Sequence, residues 1–306
     1  MADSRLWEIK CYNIAFYPGD HVRRLILACL LASFALGLHA QPIQVVSSIK
    51  PLQLLVSAIG GEDVDSQLLL PPGFSPHDAQ IRPSQWQLLN RADLLVWVGP
   101  ALERFLASAL NGRGNALSLQ SVAGAAAGDD PHLWMGLGMV SEMAVALSNR
   151  LAQLRPDKKA QFASNAARLL SALNQQDLRL RKAFGEALPA YLLPHNGYRH
   201  FERQYGLKAA AVLSPNDEQL PGTAHIAELR SRLLKGEFDC VFSEPQQSSR
   251  LTDRLLEGVA VQVVRLDPMG ADVANGPRGF DRYYQELAEA FLACQQAGRA
   301  RLTGAE

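Results

Sequence analysis

Three histidines stand in short polar or proline-bounded loops, each able to present a ring nitrogen. They are His77 in Ser75-Pro76-His77-Asp78, His132 in Asp129-Asp130-Pro131-His132 and His195 in Leu193-Pro194-His195-Asn196. A fourth candidate donor, Asp267, follows an apolar run in Val263-Val264-Arg265-Leu266-Asp267-Pro268. Neutral imidazoles with one carboxylate make a donor set that suits zinc. Donors from four separate loops form one cage only if the fold brings those loops together. Such a set could store an ion, or hold a catalytic zinc with an exchangeable position. For the second use, the chain shows no His-Glu-x-x-His pair, no Gly-x-Ser-x-Gly elbow and no Walker loop. An exported adhesin or structural protein would need none of these loops.

Other polar residues fall into place around the four. Asp78 and Asn196 adjoin two of the histidines and could orient their imidazoles, or serve as ordinary turn residues. Glu244 follows an apparent strand end and is a third candidate for orienting a donor. His200 and His225 lie in segments that read as helices, where packing or surface roles are expected.

Short apolar runs alternate with helical segments along most of the chain. Ile43 to Ile49, Asp65 to Leu70, Leu94 to Val98 and Asn115 to Val122 read as strands, with helices opened by Pro51 and Pro83 and another over Leu102 to Leu110. Met139 to Leu154 and a long segment from Pro156 to about Glu186 read as helices without a strand between them. Leu169, Leu170, Leu173, Leu178 and Leu180 give the second an apolar stripe, and about 30 residues of helix would span about 45 Å. A second alternation follows, with strands at Tyr191 to Pro194, Ala209 to Leu213, Phe238 to Ser243 and Val261 to Leu266. Its helices run through Phe201 and Tyr205, over Thr223 to Lys235 and Gln247 to Glu257, and from Phe280 to Gln295. The pattern predicts an α/β protein of two lobes, each a parallel-type sheet flanked by helices, joined by one long spine helix. The expected bounds are 41–136 for the first lobe, 137–187 for the connecting helices and 188–306 for the second. In such sheets ligands bind beyond the carboxyl ends of the strands, so a cleft between lobes is the natural meeting place.

Composition is that of a globular protein, 48% hydrophobic and 20% charged over 306 residues. Lys plus Arg and Asp plus Glu are 30 each, with no basic stripe or tail, which argues against a nucleic-acid partner. Near the N-terminus, Arg23-Arg24, the apolar run Leu25 to Leu38 and Leu38-His39-Ala40 read as a secretory signal. Residues 1–40 are therefore expected to be removed, with the true start near Val22, taking His21, His39, Cys11 and Cys29 with them. The apolar run is too short to span a membrane. Two cysteines remain, Cys240 on an apparent strand and Cys294 on the last helix. In an exported chain they are expected to form a disulfide.

Seven segments carry a family resemblance. They are Val46-Ser47-Ser48-Ile49-Lys50-Pro51-Leu52, Leu70-Pro71-Pro72-Gly73-Phe74-Ser75-Pro76-His77-Asp78, Arg82-Pro83-Ser84, Ala92-Asp93-Leu94-Leu95-Val96-Trp97-Val98-Gly99-Pro100, Asp130-Pro131-His132-Leu133-Trp134, Phe242-Ser243-Glu244-Pro245-Gln246 and Leu266-Asp267-Pro268-Met269-Gly270. In this order they resemble the zinc-specific solute-binding proteins of bacterial ABC metal importers, from about residue 43 to the end. The resemblance implies a periplasmic, monomeric carrier that docks on an inner-membrane permease and is not an enzyme. It implies metal ligands at His77, His132 and His195, with Asp267 or a water in the fourth place. It also implies the Cys240–Cys294 disulfide. Manganese members of the same type carry a carboxylate at the third position, so His195 favours zinc. The chain departs from the family at Ala123 to Asp130, a short loop without histidine, in Leu133-Trp134-Met135-Gly136 after His132, where a leucine and then an acidic or small polar residue is usual, and at Asn196, where aspartate is usual.

Overall fold

The alternating apolar runs fold into two parallel four-stranded sheets of identical topology. In the computed structural model of the chain, β1 (Ile43–Ser47), β2 (Val64–Leu68), β3 (Leu94–Trp97) and β4 (Ala116–Ser118) lie in the order β2-β1-β3-β4. Strands β5 (Tyr191–His195), β6 (Ala211–Ser214), β7 (Cys240–Ser243) and β8 (Gln262–Arg265) lie in the order β6-β5-β7-β8. Every pairing is parallel. The structure describes Gly19 and residues 41–303, except 78, 127–128, 186–187, 215–220 and 248. The expected export signal, Gly19 apart, and Asp78 therefore lie outside the described residues. From Pro42 onward the described residues form one compact unit.

Helices cover both faces of each sheet. In chain order they are α1 (Lys50–Gly60), α2 (Pro83–Arg91), α3 (Arg104–Leu110), α4 (Leu119–Val122), α5 (Leu137–Leu154), α6 (Lys159–Phe184), α7 (Arg199–Tyr205), α8 (Thr223–Leu234), α9 (Ser249–Leu256) and α10 (Gly279–Thr303). Pro51 and Pro83 sit in the first turns of α1 and α2, where a missing N–H costs nothing. The long spine is shorter than expected. Pro156–Lys158 forms a 3-10 turn, and α6 then runs 26 residues, about 39 Å, to Phe184. It packs on α1 beside the first sheet and on α7 and α10 beside the second.

Two details correct the sequence expectation. Leu178 is 62% exposed, off the buried stripe of α6. That stripe runs Leu169, Leu173, Gln176, Leu180 and Phe184 at spacings of three and four, and Leu178 is out of phase with it. The expected strand Asn115 to Val122 ends at Ser118, because the Ser118 Oγ accepts the Ser121 N–H and turns the chain into α4.

The core explains why two sheets behave as one body. Ile43, Val45, Leu94 and Val96 point into the same apolar cluster as Tyr191, Leu193, Cys240 and Phe242 of the other sheet. Their strand neighbours point the other way: Val46, Leu95 and Trp97 into a cluster under α2 and α3, Leu192 and Val241 into one under α8 and α9. The period of two along each strand thus divides side chains between a shared core and a private one. Burial of each large side chain contributes on the order of 1.5–3 kcal/mol.

Cys240 and Cys294 form a disulfide that ties β7 to α10, with Cα atoms 5.5 Å apart and a sequence separation of 54. Both cysteines are fully buried. Closing a loop of that length in the unfolded chain is worth about 4 kcal/mol. The double variant Cys240→Ala/Cys294→Ala is therefore expected to lose about 3–4 kcal/mol of unfolding free energy in urea titrations. An unchanged midpoint would show that the bridge adds no stability.

Candidate metal centre

Parallel strands deliver their following loops to one edge of a sheet; His77 and His195 come from such edges, and His132 from the loop that follows β4 and α4. His77 lies in the loop between β2 and α2. Leu69 and Leu70 first prolong the pairing with β1 by donating to the Ser47 and Ser48 carbonyls. Pro71, Pro72 and Pro76 then stiffen the crossing, and the Arg82 guanidinium lies over the Phe74 ring at 5.5 Å. The Gln85 side chain closes the loop by accepting the Arg82 N–H at 2.7 Å. His77 is half-buried, the most open of the three.

His132 is held by its own approach. Asp130 Oδ1 accepts both the His132 backbone N–H at 3.1 Å and the ring Nδ1 at 2.7 Å, across Pro131. Burial opposes charge on Asp130, but its hydrogen bonds to the His132 ring and backbone outweigh it, and the carboxyl is held down to about 2. An ionised carboxylate can only accept, so His132 Nδ1 carries the proton and its Nε2 lone pair is free to bind a cation.

His195 is the last residue of β5, and Glu244 follows β7, its neighbour in the sheet. The two meet where the connection direction reverses, the switch point of a doubly wound sheet. His195 Nδ1 lies 2.8 Å from Glu244 Oε1, and the Tyr198 hydroxyl donates to the same oxygen at 2.7 Å. Burial first, then the nearby Glu244 charge, pushes the Tyr198 phenol well above its usual range, which keeps it a donor.

The result is a cluster of three imidazoles whose ligand nitrogens all lie within 4.8 Å of one another. His77 Nε2 and His132 Nε2 are 3.3 Å apart. Two nitrogens at tetrahedral positions on zinc, each about 2.0–2.1 Å from the ion, stand about 3.3–3.4 Å apart. Ring centroids are 5.3 Å apart for His77–His132 and for His132–His195, and 6.4 Å for His77–His195. Gly197 leaves the space between them. A Cβ there would sit 2.2 Å from His195 Nε2 and 3.0 Å from His132 Nε2.

Asp267, expected as the fourth donor, is not brought into this group. Its Oδ1 accepts the Met269 and Gly270 N–H groups and the Gln246 side-chain amide, and its Oδ2 accepts the Ala271 N–H. Four donors occupy a carboxylate with about four lone-pair sites, which leaves it tied to its own turn. Asn196 is half-buried beside His195, whose Nδ1 is matched by Glu244. Sequence reasoning passed over Asp130, although Asp-Pro-His placed it next to a donor, and Tyr198, which carried no such signal. His200 is buried in α7, and its Nε2 lies 2.8 Å from the Asp130 carbonyl, so its packing role supports the His132 loop. His225 bonds the Val212 carbonyl at 2.9 Å.

With the geometry in hand, comparison with known proteins is direct. The family described as zinc-uptake complex component A, periplasmic, ZnuA, matches residues 45–294. The high-affinity zinc uptake system protein ZnuA of Yersinia pestis is 27% identical over 290 residues, covering 82% of this chain and 90% of that protein. A crystal structure of ZnuA superposes with a TM-score of 0.73 at 23% identity, covering 84% of this chain and all of the other. The periplasmic zinc binding protein TroA from Treponema pallidum gives 0.72 at 21%, with 84% and 99% covered. With a match over 250 of its 306 residues, this chain belongs to the ZnuA family, the periplasmic component A of zinc-uptake complexes.

Proposed function

We propose that this protein captures zinc in the periplasm and delivers it to the permease of an inner-membrane ABC importer. The observation that carries the reading is the convergence of three imidazole nitrogens within 4.8 Å, two of the rings tied through Nδ1 to buried carboxylates. His77, His132 and His195 are the proposed ligands. Three neutral nitrogens fit zinc better than magnesium, calcium or manganese, which favour oxygen. Asp130 and Glu244 fix the orientation of the His132 and His195 rings. Asp267 acts on the ion through its charge rather than by a bond, and the fourth position is open to solvent or to a group of the receiving permease.

Capture rather than turnover follows from what surrounds the cluster. A zinc hydrolase needs a base placed to activate the bound water. Here the two buried carboxylates beside the imidazoles, Asp130 and Glu244, are already engaged with ring N–H groups. The half-buried His77 is the side from which an ion reaches the two deeper rings, and the side from which it leaves.

Isothermal titration of the mature protein, purified without a histidine tag, is expected to show one tight zinc site. His77→Ala, His132→Ala and His195→Ala should each weaken it by more than the loss of an orienting carboxylate does. That latter loss, in Glu244→Gln or Asp130→Asn, is expected at about 10–100-fold. Wild-type binding by all three alanine variants would remove the cluster from the mechanism, and a preference for manganese over zinc would change the cargo. Asp267→Asn is expected to cost less than any histidine, and an effect as large as His132→Ala would mean a direct bond. Zinc-loaded protein should hydrolyse peptide, ester and phosphate substrates no faster than the metal-free form; turnover lost in His132→Ala would favour an enzyme.

A further inference from the structure

The first segment after His132 does more than fill the core. Trp134, two residues on in the 3-10 turn Leu133–Met135, is 1% exposed. Its ring stands against the His132 imidazole, with centroids 5.3 Å apart and planes inclined at 57°. Its indole N–H donates to the Pro268 carbonyl at 3.0 Å, across 134 residues of sequence. That carbonyl also accepts the hydroxyl of Tyr283 on α10 at 2.9 Å.

Pro268 belongs to the turn that the Asp267 carboxylate organises. Asp267 gathers the N–H groups of Met269, Gly270 and Ala271, so residues 267–271 form a stiff knuckle after β8. Gly270, at φ +60°, lets that knuckle lie flat on Tyr283, since a Cβ there would stand 2.6 Å from the Tyr283 ring. Asp267 is therefore held in place by the backbone of its turn, and that backbone is bonded at the Pro268 carbonyl by Trp134 and by Tyr283 of α10. Trp134 also stands against an imidazole of the cluster, that of His132.

We propose that Trp134 is a positioning residue of the zinc site: it locks the His132 imidazole to the Asp267–Ala271 turn, so the site's geometry is set before the ion arrives. The proposal rests on the zinc-capture reading given above. His132 is then fixed twice, at Nδ1 by Asp130 and on its ring face by the indole. The indole is in turn fixed by a carbonyl from the other sheet. A core tryptophan with no such duty would need only its shape, whereas this duty needs its N–H. The distinction is testable because phenylalanine keeps most of the apolar volume and loses the donor.

The test uses the full mature chain with zinc competed against a chromogenic chelator, and cobalt as a spectroscopic probe of ligand geometry. Trp134→Phe is expected to weaken zinc by about threefold to tenfold, the worth of one buried hydrogen bond. The weakening should appear mainly in the dissociation rate, and the visible cobalt spectrum should change in position or intensity. Wild-type zinc binding by Trp134→Phe overturns the proposal. So does weaker binding with an unchanged cobalt spectrum, which would mark a general loss of packing. Should Trp134→Phe fail to fold by circular dichroism, Tyr283→Phe decides. Loss of the second donor to Pro268 should change the visible cobalt spectrum in position or intensity relative to wild type, and an unaltered spectrum with unaltered affinity overturns the proposal. Failure of the wild-type chain to bind zinc in the same assay would instead count against the capture reading itself.

Discussion

Three imidazole lone pairs aimed at one point repel one another, and burial has taken most of their water away. The rest of the molecule must therefore hold it from outside, and most of the structure can be understood as that restraint. Asp130 and Glu244 grip the outer nitrogens of His132 and His195. The chain leaves Gly197 where any side chain would fill the gap between them. Prolines stiffen the loop that carries His77.

The two sheets solve the same topological problem in opposite ways. Each reverses its connection direction between its two central strands, which opens a crevice at their carboxyl ends. In the first sheet Glu103 closes the crevice. It is fully buried and accepts the Ser48 hydroxyl beyond β1 and the Val98 and Gly99 N–H groups beyond β3. Burial raises its carboxyl to about 7 against those three donors. In the second sheet the carboxylate at the corresponding place, Glu244, faces an imidazole instead. One crevice is a sealed joint and the other becomes half of a metal site, although strand order and pairing are the same.

A shared core makes the restraint effective. Strands of both sheets send alternate side chains into one cluster with α1, α5, α6 and α10, so neither sheet buries its inner face alone. The disulfide ties β7 to α10, and α10 sends the Tyr284 hydroxyl to the Met135 carbonyl just after His132 and the Tyr283 hydroxyl to the Pro268 carbonyl that Trp134 also bonds. Lys50 on α1 reaches Asn275 in the loop before α10 with a 2.8 Å hydrogen bond. These ties run between residues far apart in sequence, and they make the cluster a property of the whole fold rather than of any loop.

Much of this was legible in the residues. Short apolar runs marked the strands, Pro51 and Pro83 marked helix starts, and a parallel two-sheet fold followed from the alternation of strands and helices. Residue type and loop context together singled out His77, His132 and His195, whereas His200 and His225 fell in helical segments and were set aside. Asp267 was legible as a carboxylate after a strand, yet its carboxylate is spent on the N–H groups of its own turn, and sequence does not reveal how many donors a turn will present. The helix stripe misled at Leu178 because its phase depends on which neighbours α6 meets, and those come from both sheets. Asp130, Tyr198 and Trp134 acquired their places only on folding, since a hydrogen bond from Trp134 to Pro268 crosses 134 residues that no local pattern can span. Sequence determined which atoms could bind the ion; tertiary structure decided which of them face one another, because distance is set by packing and not by order along the chain.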